Sequence, residues 1–182
     1  SAHPVGSGHI IDTLATTFSQ SGTPVRYIIQ RINHTVFQNP LALMDNVSRV
    51  TRPIRRKLLE ARRPDVSRRV MTLIPTREGS QFHRDEASNY WRAYLFIENA
   101  HTFNMLESDA HAFEAARAFG MFQKMLIDMP KPPLYDTIPN FHNGPHRFEL
   151  FTGALERDKF NRAAQAKPEI DYIQDNKWIF DV

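Results

Sequence analysis

The apolar residues change their spacing near Glu98, and that change limits the chain to a fold in two parts. Ahead of it, runs rich in β-branched and aromatic residues at positions 10–18, 25–32, 70–75 and 90–97 read as strands. Beyond it, apolar residues recur at steps of three and four, the period of helices. One helix is expected among the strands. Asn39 before Pro40 reads as an N-cap followed by proline at the first helical position, and Leu43, Val47, Val50, Ile54 and Leu58 then share one face. Pro53 lacks an amide hydrogen and is expected to kink or split that helix. The fold class expected is α+β: an antiparallel sheet with one helix over residues 1–98, followed by a helical part over residues 99–182.

The turns are as informative as the elements they join. PVGSG at 4–8 reads as a tight glycine turn and SQSGTP at 19–24 as a hairpin turn, while the polar stretch between the last two strand runs makes those a hairpin too. In the helical part, Ser108 or Asp109 caps a helix to about Met129, with Phe113, Ala116, Phe119, Phe122 and Leu126 on its apolar face. Lys131-Pro132-Pro133 stops it, and NFHNGP at 140–145 is a further turn. Residues 146–162 read as a helix with Phe148, Phe151 and Leu155 on one side, and Pro168 opens a last helix through Ile170 and Ile173.

Composition excludes several classes of function. With 41% hydrophobic and 24% charged residues the chain of 182 has the balance of a globular protein. It has no cysteine, so thiolate chemistry, thiolate metal ligands and disulfides are out of reach; a reducing compartment, the cytoplasm, is expected. No apolar run is long enough for a membrane span, and the N-terminus lacks the pattern of a secretory leader. Nine Arg and Lys residues fall between positions 49 and 69, yet no aromatics interleave with them to stack on bases. They read as the solvated face of a helix, and neither nucleic acid nor membrane is expected as a partner.

Few residues read as chemistry. Gly6, Ser7 and Gly8 ahead of a strand have the make-up of a loop that brings backbone amides to phosphate oxygens. His142 and His146 have a spacing that suits a metal on a helix, but Gly144-Pro145 lies between them, so they are taken as turn and cap residues. No metal ligands are assigned.

Several longer runs carry a resemblance. YIIQRINHTVFQNPLALMDNVSRVT (27–51), YWRAYLFIENAHTFN (90–104), AARAFGMFQKML (115–126), TIPNFHNGPHRFELF (137–151) and AAQAKPEIDYI (163–173) together resemble the N-acetylhexosamine 1-kinases, members of the aminoglycoside phosphotransferase group with a protein-kinase-like fold. The resemblance implies ATP and Mg2+ as cofactors and an N-acetylhexosamine, phosphorylated at its anomeric hydroxyl, as substrate. It makes residues 4–8 the loop over the nucleotide, with Gly6, Ser7, Gly8 and His9 nearest the phosphates, although Ile11 and Leu14 stand where the family has Asn and Tyr. It makes residues 25–32 the strand that carries a phosphate-pairing Lys in kinases; Gln30 matches the position and Arg31 has the charge. It makes residues 96–100 the connection between lobes, with Ile97, Glu98 and Asn99 nearest the adenine.

The same resemblance implies that the chain is the N-terminal part of such a kinase. The first strand is then expected before Ser1, and the catalytic loop and metal-binding Asp after Val182, so no catalytic residue is assigned and the 182 residues alone are expected to be inactive. HRDEASN at 83–89 is not that catalytic loop. It has one residue too few between Asp85 and Asn89, and it precedes the connection at 96–100. Asp85 and Asn89 are expected to be turn residues. Bare apolar faces on the later helices are expected to pair copies of the chain into a homodimer. The rival expectation is a non-catalytic module of the same fold that binds a nucleotide or a partner.

Overall fold

The structure is a computed structural model that describes residues 1–6, 10–103 and 105–181; Ser7, Gly8 and His9 of the glycine turn lie outside the described residues, as do Asn104 and Val182. The chain is mixed α+β, with a six-stranded antiparallel sheet and several helices. It forms two compact units, Ser1–Thr137 and Ile138–Val182. The division expected after Glu98 therefore lies inside the first unit, which also takes in the first helix of the helical part.

The sheet is built outward from one hairpin. β2 (Asp12–Gln20) and β3 (Thr23–Ile32) pair along their whole length. Ser21 and Gly22 join them, with φ of 51° and 84°, so both turn residues are left-handed and match the twist of the flanking strands. β1 (Ala2–Pro4) pairs with the outer edge of β2, opposite Leu14 to Thr16. A strand ahead of the glycine turn is thus present within the chain, where the sequence suggested only a turn beginning at Pro4 and a first strand before Ser1. On the other side β3 pairs with β6 (Tyr90–Leu95), from Tyr27 opposite Leu95 to Ile32 opposite Tyr90. β4 (Leu73–Ile74) and β5 (His83–Arg84) share the far edge of β6. β5 is too short to leave a period in the sequence, and β4 keeps only two residues of the run expected at 70–75.

α1 (Pro40–Glu60) returns the chain between β3 and β4. The Asn39 carboxamide accepts the Ala42 amide at 3.0 Å, the cap that its position ahead of Pro40 promised. A kink or a split was expected at Pro53; the helix is not split there and runs as one element. A proline inside a helix costs about 3 kcal/mol. Ile54 and Leu58, just past it, are buried in a cluster with Val70, which Val50, Val66, Met125 and Leu126 surround. Burial of such side chains contributes roughly 1.5–3 kcal/mol each. That offsets the proline and keeps the second half of α1 helical. α2 (Val66–Arg69) supplies Val66 to this cluster, and α3 (Asp109–Leu126) supplies Met125 and Leu126.

Of the apolar face expected on α3, only Leu126 enters the core. Phe113 is 66% exposed and Phe119 72%, and Phe122 is exposed as well. The Ser108 hydroxyl accepts the His111 amide at its start. In the second unit α4 (Gly144–Arg157) begins earlier than expected, capped by Asn143, and stops at Asp158, whose carboxylate takes the amides of Arg162 and Ala163. α5 (Lys167–Asp175) leads into a 3-10 turn, Lys177–Asp181. Phe148 stacks between Phe151 and Phe180, at 6.0 and 5.4 Å between ring centroids, so these two α4 aromatics are half-buried within their own unit. No helix among the described residues is long and apolar enough to cross a membrane.

Candidate functional site

Three neighbouring strands set a row of polar side chains across one face of the sheet. Thr13 lies opposite Gln30, and Gln30 opposite Arg92. Strand alternation puts them on the face that carries the buried Ala15, Ile28 and Ile32. The Gln30 amide donates to the Thr13 hydroxyl at 3.0 Å, and its carbonyl accepts the Arg92 Nε at 2.9 Å. The Sδ of Met44, a buried residue of α1, lies 4.0 Å from Arg92 Nη1. Burial holds the Arg92 guanidinium below its ordinary pKa, and Tyr94 beside it partly opposes that. Burial likewise pushes the Tyr94 phenol up, against the pull of Arg92. At the other end of the row the Thr13 carbonyl accepts the Val5 amide at 3.0 Å, which fastens the glycine turn to β2. Gly6 has φ of 86°, a conformation that side-chain-bearing residues avoid.

The opposite face holds Arg31. Its Nε donates to the Asp12 carboxylate at 2.7 Å, and Nη2 contacts the same oxygen. Both residues line an open cleft of about 540 Å³, shared with Pro4, Gly6, Thr13, Leu14, Asn89 and Trp91. Gln30 and Arg31, left as alternatives by the sequence, thus stand on opposite faces with different partners. Gly6 of the turn is in this cleft; Ser7, Gly8 and His9 lie outside the described residues.

Ile97, Glu98 and Asn99 follow the end of β6. Ile97 is five residues beyond Arg92, about 17 Å at the rise of an extended strand. The Phe96 amide still donates to the Arg26 carbonyl at 3.2 Å; beyond it the ladder ends, and neither the amide nor the carbonyl of Ile97 is hydrogen-bonded among the described residues. Arg26 grips this segment from β3. Its guanidinium forks onto the Glu98 carboxylate, with Nε to Oε1 at 2.8 Å, and lies 4.1 Å over the Phe96 ring. From α2, Arg68 Nη1 donates to the Glu98 carbonyl. Asn99 turns the chain with φ of 53°. Arg26 did not stand out in the sequence and Arg68 did so only as one of the basic stretch, because their partner lies 72 and 30 positions away.

Asp85 and Asn89 close a turn, as their spacing suggested. The Asp85 carboxylate accepts the Asn89 amide at 2.7 Å, its side-chain amide, and the Trp91 indole N–H at 2.8 Å. The indole does most to hold the Asp85 carboxyl below the usual range. His142 precedes α4 and His146 sits in its first turn, where Nδ1 is 3.6 Å from Glu149. Among the described residues no three His, Asp or Glu side chains gather as a metal-binding group. The basic stretch serves the fold in good part: Arg49 donates to the carbonyls of Pro130, Pro132 and Pro133, and Lys57 to Met125 and Asp128. Comparison of the chain with known protein families finds no match.

Proposed function

We propose that the chain is the nucleotide-binding part of an ATP-dependent sugar kinase of the N-acetylhexosamine 1-kinase type, built on a protein-kinase-like lobe. The reaction is transfer of the γ-phosphoryl group to the anomeric hydroxyl of an N-acetylhexosamine, with Mg2+ carried on the nucleotide phosphates and the cytoplasm as its setting. One observation supports the reading: the order strand, Gly6, hairpin, two helices, three-strand return and connecting segment, with Gly6 and the segment toward two ends of one sheet. The unpaired peptide of Ile97 supports contact with a planar base edge, which offers one donor and one acceptor to an extended backbone. The positive φ of Gly6 supports close approach of backbone amides to phosphate. Phosphoryl transfer is achieved chiefly by positioning and charge stabilisation, and these residues position the donor. The group that takes the sugar proton is not assigned to this chain.

A second reading, a non-catalytic module that binds a nucleotide, is favoured by two residues. Of the two candidates for the expected Lys, Gln30 brings no charge and Arg31 is already paired with Asp12. Calorimetry and turnover separate the two. Titrated with ATP–Mg2+, the 182-residue chain is expected to bind; a longer polypeptide that contains it is expected to bind N-acetylglucosamine too and to release ADP. Nucleotide binding with no turnover in the longer polypeptide selects the second reading, and no heat with ATP or sugar sinks both.

A further inference from the structure

The three arginines of β3 and β6 are partnered in inverse order to their burial. Arg26 and Arg31, with side chains 40% and 46% exposed, each have a carboxylate, although water already solvates them. Arg92 is only partly exposed, and among the described residues it meets a neutral carboxamide oxygen and a thioether. A guanidinium withdrawn from water is costly unless an anion faces it. A half-buried cation that no carboxylate neutralises, with a nitrogen still open to solvent, is a candidate to meet an anionic ligand.

We propose that Arg92 is the residue that receives the oligophosphate of a nucleotide, with Gln30 and Thr13 as the positioning residues that aim it. The proposal rests on the nucleotide-binding reading and moves the cationic role from positions 30 and 31, where that reading looks for it, to the adjacent strand. Three features of the geometry carry it. Arg92 Nε is spent on Gln30, whose amide is in turn fixed by Thr13, so the plane of the guanidinium is set from β2 through β3. Nη2 makes no hydrogen bond among the described residues, and Nη1 has only the Met44 sulfur at 4.0 Å, which leaves the fork for a pair of phosphate oxygens. The row ends at Thr13, whose carbonyl accepts the Val5 amide and which also borders the cleft that holds Gly6. Arg31, the other charged candidate, lies on the opposite face and is already neutralised by Asp12.

The test uses the 182-residue chain with three probes, ATP, tripolyphosphate and adenosine, titrated by calorimetry at low salt, and with thermal melts alongside. In Arg92→Met, affinity for ATP and for tripolyphosphate is expected to fall about ten-fold to a hundred-fold, the loss of a charge-assisted pair. Adenosine affinity stays. The melting temperature of the ligand-free variant is expected to fall only slightly, because Met removes the Nε bond to Gln30 but also a cation that has no carboxylate. Unchanged binding of both phosphates in Arg92→Met overturns the proposal. If that variant does not fold, Arg92→Lys is read instead: it keeps the charge and loses the fork, and weaker tripolyphosphate binding supports the proposal while equal binding overturns it. Wild-type protein that binds tripolyphosphate through Arg92 but neither ATP nor adenosine keeps the phosphate site and ends the nucleotide reading. Wild-type protein that binds none of the three ends both.

Discussion

At the scale of single residues, Asp85 shows how a carboxylate that looks catalytic can be fully occupied by its own turn. Its oxygens take the Asn89 amides and the Trp91 indole, and these hold the carboxyl below the ordinary value. A carboxylate with a depressed folded pKa stabilises the fold above its unfolded pKa, and that contribution is lost as pH falls through the folded value. Asp85→Asn is therefore expected to lower the melting temperature at about pH 7 and to shrink the difference between melts at about pH 7 and about pH 3. An equal difference in the two proteins would remove the carboxylate from the acid limb of stability. The Asp85 and Asn89 pairing was legible because both partners sit within one short turn. Arg92 was not: it stands in a strand run that reads as ordinary β-sequence, and only the pairing of β6 with β3 sets it against Gln30, 62 positions away. Arg26 was hidden for the same reason. Sequence spacing reports neighbours along the chain, and both arginines act on neighbours across the sheet.

At the scale of elements, two helix caps held and two expected interruptions did not. Asn39 and Ser108 start their helices where their side chains suggested. Pro53 did not end α1, because tertiary packing of Ile54 and Leu58 outweighs one missing amide. Gly144-Pro145 looked like turn residues and instead form the first turn of α4. Gly144 is there for lack of room: a Cβ on it would sit 3.1 Å from the carbonyl carbon of Phe180 and still closer to its oxygen. Gly144→Ala must push the 3-10 turn off α4, at a cost of about 1–3 kcal/mol. Hydrogen exchange over residues 138–181 is expected to speed up in this variant, with residues 1–137 unaltered. Faster exchange in both ranges, or in neither, would contradict the close approach of Gly144 to Phe180. The sequence offered a glycine before a proline, which is the signature of a turn, and contained nothing to show that the backbone of Phe180 would come so near.

At the scale of the whole molecule, the sheet and α1 were readable in outline as an α+β arrangement, while the fate of the apolar faces beyond it was only partly so. Phe148 and Phe151 find Phe180 within the second unit, but Phe113 and Phe119 on α3 remain open to water. Large apolar side chains left bare along one helix favour association. The 182-residue chain is expected to sediment above its 21.1 kDa monomer mass as concentration rises, and Phe113→Glu combined with Phe119→Glu to return it to the monomer. A wild-type chain monomeric at every concentration would refute this. The row of Thr13, Gln30 and Arg92 bears on how such a molecule reaches its form. β6 must find β3 after α1 has been laid between them, and closing so long a loop is slow. A slip of one residue in that search turns every side chain of β6 to the other face, sending Arg92 away from Gln30 and Trp91 in its place. A slipped register would leave the Arg92 guanidinium without the Gln30 carboxamide, so the polar row favours one pairing of β6 with β3 over its neighbours.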